Sequence, residues 1–186
     1  MTKQMIKIAA MIILAIGLTT SAAAQSKTEF GLPQSIPLTG METAAGIYDP
    51  LTNVVYGNSF ALENLGDSET HFFTVSLDYS RTVDYSCEHC DIVSRYPVTD
   101  GLWSLAVFRN NDYVGTLFGK VAGGAIDAIT ASGQEQVYRQ MQINLEATGG
   151  LGIFAGEKSA NISGVYEGVT EIISNQASGN ITFGSR

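Results

Sequence analysis

Apolar and polar residues alternate along much of this chain. In HFFTVSLDYSR, Phe73, Val75, Leu77 and Tyr79 share one face, while Thr74, Ser76, Asp78 and Ser80 share the other. A period of two is that of a strand with one buried side. QVYRQMQINLE repeats it, with Val137, Met141, Ile143 and Leu145 set against Tyr138, Gln140, Gln142, Asn144 and Glu146. A helix would scatter those apolar positions around its circumference. WSLAVF (103–108) and YVGTLF (113–118) flank RNND, whose asparagines and aspartate suit a tight hairpin. Further strands are expected at 53–62, 90–96, 125–130, 160–166, 170–174 and 179–183, and no segment reads as a long amphipathic helix.

Many short strands joined by Gly, Asn and Asp turns predict an all-β fold, an antiparallel sandwich or barrel. An antiparallel barrel is the preferred expectation, because closure removes exposed strand edges. Residues 50–186 are assigned to that domain. Residues 25–49, with Pro33, Pro37 and no sustained apolar period, are expected to form an extended N-terminal arm. A membrane barrel fits less well, since Asp78, Gln140 and Glu146 interrupt any lipid-facing band.

The N-terminus changes the picture of where such a barrel works. Residues 1–24 combine Lys3 and Lys7, an apolar run from Ile8 to Leu18 and a small-residue exit at Ser21 to Ala24. This predicts a signal peptide and a secreted or periplasmic protein. The run falls short of the ~20 apolar residues of a membrane span. The whole chain carries a formal charge of −8, which becomes −10 once Lys3 and Lys7 are removed. An acidic chain without a basic run is a poor partner for nucleic acid.

Candidate chemistry is sparse. The only cysteines, Cys87 and Cys90, stand in DYSCEHCDI. In an exported chain they read first as a disulfide stapling a turn with Glu88 and His89 at its centre. A redox pair is the alternative, although Asp84, Glu88 and Asp91 would disfavour a thiolate. A metal site using Cys87, Cys90 and His89, with His71 as a fourth ligand, is a third reading, but no second CxxC or His pair supports it, and no cofactor is expected. Arg81, Arg109 and Arg139 continue or interrupt the apolar faces of three strands. If strands alternate up and down between residues 72 and 146, all three arginines fall at one barrel mouth, beside the CEHC turn. They would then form a cationic collar for an anionic head group, with Tyr79 and Trp103 on the apolar faces that receive its tail. Asp78 and Glu146 would pair in the lumen only if their faces point inward. There is no GxSxG elbow, and two histidines leave little room for a catalytic triad.

TGGLGIFAG (148–156) places four glycines in nine positions around Phe154. Gly149, Gly150 and Gly152 would permit a tight or bulged reversal between strands, and Phe154 could tuck back as a plug. Residues 148–160, TGGLGIFAGEKSA, resemble the TGGTGxFAGAxGxA pattern of the allene oxide cyclase and dirigent barrel families. Glu157, Lys158 and Ser159 depart from it. The resemblance implies an eight-stranded antiparallel barrel holding a small apolar or amphipathic molecule, sometimes guiding its cyclisation or coupling, and often trimeric. No catalytic residue of those families aligns here. Two functions follow as expectations: a small-molecule-binding barrel with cyclase or isomerase activity as an open extension, or a non-catalytic structural or interaction barrel.

Overall fold

In the computed structural model, which describes residues 31–82, 92–129 and 138–185, the alternating segments form eight strands. They are β1 (Ser35–Asp49), β2 (Val54–Leu65), β3 (Glu69–Ser80), β4 (Ile92–Arg109), β5 (Asp112–Ile129), β6 (Tyr138–Gly152), β7 (Ile162–Glu171) and β8 (Gln176–Ser185). Each pairs antiparallel with the next, and β8 pairs back onto β1 from Ser35↔Thr182 to Met41↔Gln176, closing the barrel. Closure satisfies the backbone of what would otherwise be two free edges.

The expected arm is largely part of this barrel. From Ser35 onward the stretch assigned to 25–49 is β1, the staple between β2 and β8. Pro37 is compatible with β1, because proline only removes one donor from a ladder that otherwise runs on. Just upstream, Leu32 is fully buried, and the Gln34 carbonyl accepts a hydrogen bond of 2.8 Å from the Phe183 amide.

Two further expectations need correcting. Residues 92–96 and 103–108 of the expected segments belong to one strand, β4, and 113–118 and 125–129 belong to one strand, β5. What reads as a break in PVTDGL and KVAGGA is a bulge. Register shifts lie between Asp78/Tyr79 on the β3–β4 ladder and Val121/Gly124 on the β5–β6 ladder. An extra residue reverses which parity faces inward. Odd positions Trp103, Leu105 and Val107 enter the core from one half of β4, and Val98 enters from the other half. In the same way β5 supplies Leu117 and Val121, then Ile126. Residues 172–174 of the expected strand 170–174 form a turn instead. The RNND hairpin is as expected: Arg109 faces Asp112 across Asn110 and Asn111, both at positive φ (51° and 70°), which gives a two-residue primed turn.

The interior is filled. Phe73, Leu77, Leu105, Ile143 and Ile181 are fully buried in one continuous cluster with Trp103, Tyr166 and Phe60. Phe73 sits 5.7 Å from the Tyr166 ring and 6.4 Å from that of Trp103, and the Trp103 indole donates to the Lys120 carbonyl at 3.0 Å. Asp78 and Glu146 lie on the opposite face, outside the lumen. Asp78 accepts from the Gly57 amide, and Glu146 pairs with Lys120 at 3.2 Å.

Within TGGLGIFAG, Thr148 to Gly152 are the end of β6, paired with β5 through Phe118↔Gly149 and Leu117↔Gly150. The reversal comes later: Gly152 adopts φ 65°, and Phe154 folds back to complete burial. Gly150 does not turn the chain. It makes room, because a Cβ there would lie 2.5 Å from Phe154 Cβ.

Candidate functional site

Strand direction decides which side chains meet. The ends of β1, β3, β5 and β7 and the starts of β2, β4, β6 and β8 share one end of the barrel, here the upper end. Arg81, just beyond β3, and Arg139, the second residue of β6, both lie there. Arg109 ends β4 opposite Glu69, the first residue of β3, and so lies at the lower end. The three-arginine collar is therefore not formed. Reading β4 as two strands inserted one reversal and misplaced Arg109. Reading β5 as two inserted a second, which restored Arg139.

At the upper end, polar side chains enter an otherwise apolar lumen. Arg139 Nη1 lies 3.2 and 3.3 Å from the two carboxylate oxygens of Glu42, which is only 6% exposed. Asn58, buried, donates through Nδ2 to Glu42 Oε1 at 2.5 Å and to the Ala44 carbonyl at 2.8 Å. The bulge between Glu42 and Ala44 is where that carbonyl leaves the regular ladder. Thr170, facing Arg139 across the β6–β7 ladder, is fully buried. Tyr79 is buried beside Arg139 and Arg81. Burial raises its hydroxyl pKa, against the pull of the two guanidiniums. Arg81 is exposed, its guanidinium 5.7 Å from the Tyr48 ring and 5.6 Å from that of Tyr96. Three atoms of this region, Asn58 Oδ1, Thr170 Oγ1 and the Tyr166 hydroxyl, are buried without a hydrogen-bond partner. Burial also holds the Tyr166 hydroxyl protonated far above the usual tyrosine range.

The lower end holds Arg109. Its Nε donates to Glu69 Oε2 at 3.2 Å, and Glu69 Oε1 lies 3.0 Å from His71 Nε2. Nη2 of Arg109 reaches the Gly31 carbonyl at 3.4 Å, tying down the segment that carries Leu32. His71 is 3% exposed and its Nδ1 has no partner. Desolvation lowers its pKa, only partly offset by Glu69. Through Glu69, His71 is joined to Arg109 at this end of the barrel.

Of the remaining expected site residues, Trp103 is core and reaches no lumen space. Cys87 and Cys90 lie outside the described residues, as does the CEHC turn. Among the described residues no cluster of three metal-ligating side chains occurs.

The outer face of the barrel carries open grooves. An open groove of about 710 Å³ runs from the start of β6 across β7, β8, β1 and β2 to β3. Its floor is small, with Thr39, Gly40, Ala61 and Ser178, and its walls include Phe72, Tyr138 and Val169, each about 40% exposed. The sequence signal for it was a large apolar residue on a polar strand face, as at Phe72 beside inward Phe73. Glu42 and Asn58 were likewise overlooked. Glu42 follows Ile36 and Leu38 at even positions in a stretch that two prolines disguised as an arm. No family model, curated protein or solved structure matches the chain.

Proposed function

We propose that this protein is an exported, non-catalytic interaction barrel that presents its outer face to a partner. The observation that carries this reading is the filled lumen. Phe73, Leu77, Trp103 and Ile143, the side chains that would line a binding cavity, are packed into one core. Side chains buried this deeply against one another leave no room between them for an apolar tail. Export rests on the signal-like residues 1–24, and kinship with the allene oxide cyclase and dirigent barrels on the glycine-rich segment at 148–160 and the eight-stranded architecture.

A second reading has one specific observation behind it. The unpartnered Asn58 Oδ1, Thr170 Oγ1 and Tyr166 hydroxyl near the Glu42–Arg139 pair suit a small polar head group entering from the upper end. Native mass spectrometry of protein purified without denaturant separates the two. The interaction barrel is expected to fly at the mass of its polypeptide alone, without residues 1–24 where the signal peptide has been removed. A stoichiometric small molecule, lost from an Arg139→Met variant, would overturn that reading in favour of the second.

A further inference from the structure

We infer that the outer groove receives an extended segment of another protein, apolar at its centre and carrying a Lys or Arg toward each end. This rests on the interaction-barrel reading and names its partner. Each wall of the groove pairs an aromatic ring with a carboxylate on the neighbouring strand, Glu63 opposite Phe72 and Glu171 opposite Tyr138. A carboxylate beside an exposed ring suits a cation twice over, through charge and through the ring face. No Lys or Arg lines the groove, and among the described residues neither carboxylate forms an ion pair.

Spacing sets the length of the segment. Glu63 on β2 and Glu171 on β7 are three strand intervals apart and offset by two residues along the strands. At ~4.8 Å per interval and ~3.3 Å per residue that is about 16 Å, the reach of roughly five extended residues. The floor between them, Thr39, Ala61 and Ser178, is low enough for side chains to settle on it. The β1–β8, β1–β2 and β2–β3 ladders beneath are paired, so recognition comes from side chains and not from strand addition. A second copy is the poorer occupant. A concave patch is not its own complement across a two-fold axis, and four carboxylates would meet in a chain whose formal charge is already −8.

Selection from a displayed random heptapeptide library against the full chain at low salt tests this. Enrichment of an apolar core bracketed by Lys or Arg about five residues apart is expected. Affinity for an enriched peptide should drop at least tenfold in Ala61→Arg, which fills the floor from an exposed position. The Glu63→Lys/Glu171→Lys variant, altered only on the surface, should select acidic flanks instead. Far-ultraviolet dichroism and Trp103 fluorescence check that both variants fold. No enrichment, enrichment without basic flanks, or binding untouched by either variant overturns the inference. So does a concentration-dependent dimer in sedimentation that Ala61→Arg abolishes, since a second copy then fills the groove. None of these results bears on whether the lumen carries a molecule, so failure here is distinct from failure of the interaction-barrel reading.

Discussion

Phe154 is the residue through which the glycine-rich segment acts on stability, and replacing it with alanine measures that action. The side chain is fully buried, after a left-handed turn at Gly152 that brings it back onto β5 and β6. Emptying a buried phenylalanine site costs about 3–5 kcal/mol, depending on how far the surroundings collapse into it. Collapse is limited here, because the ring lies over Gly115, whose added Cβ would sit 2.9 Å from Phe154 Cδ2, and glycines have no side chain to move inward. About 4 kcal/mol is therefore expected, a large share of the ~5–15 kcal/mol that holds a domain folded. With a urea m-value near 2 kcal/mol/M, the midpoint should fall by about 2 M. Trp103, the only tryptophan and itself in the core, reports the transition by fluorescence. Phe154→Leu, which keeps most of the apolar volume, should lose only about 1–1.5 kcal/mol. If alanine and leucine behave alike and both cost less than about 1 kcal/mol, Phe154 is not a plug and the account of the glycine segment is wrong.

Three other substitutions probe the barrel ends and interior. Glu42→Gln leaves the partly buried Arg139 without its counter-charge and should cost about 2 kcal/mol in urea, whereas Glu42→Leu with Arg139→Met should restore stability to within about 1 kcal/mol of the parent. Tyr166→Phe removes a buried hydroxyl that has no partner and should raise the urea-derived stability by up to about 1 kcal/mol; a loss greater than that shows that the hydroxyl is satisfied in solution. His71 has its pKa lowered by burial, so the unfolded chain binds the extra proton first. Its contribution is complete above the ordinary histidine value of 6.5 and drains away as pH falls below it. Thermal midpoints should accordingly fall more steeply between pH 7 and 5 for the parent than for His71→Gln, and equal slopes would remove His71 from the acid sensitivity.

Where one parity stayed inward for the whole strand, the sequence was easily read. β3 carries Phe73, Val75, Leu77 and Tyr79 on one face without interruption, and β6 carries Met141, Ile143 and Leu145. The reading failed at bulges. In β4 the inward set changes from odd to even positions between Trp103 and Val98, and the period of two breaks in the middle of a continuous strand. That local fault had a distant consequence: one strand counted as two sent Arg109 to the wrong end. β1 was hidden for a different reason. Pro37 within it and Pro33 just before it resemble the prolines of a linker, and only pairing with β8, almost the whole chain away, makes it a strand.

The sequence by itself determined the all-β class, the antiparallel hairpins, most of the core and an acidic surface, because each follows from local periodicity, turn chemistry or a count of charges. Tertiary structure alone decided that β1 closes the barrel, that Glu42 meets Arg139 across 97 residues, that the lumen is solid and that Phe72 and Tyr138 face each other over a groove. These depend on register and strand order. A single inserted residue resets both, and no local pattern records the sum of such insertions around a closed sheet.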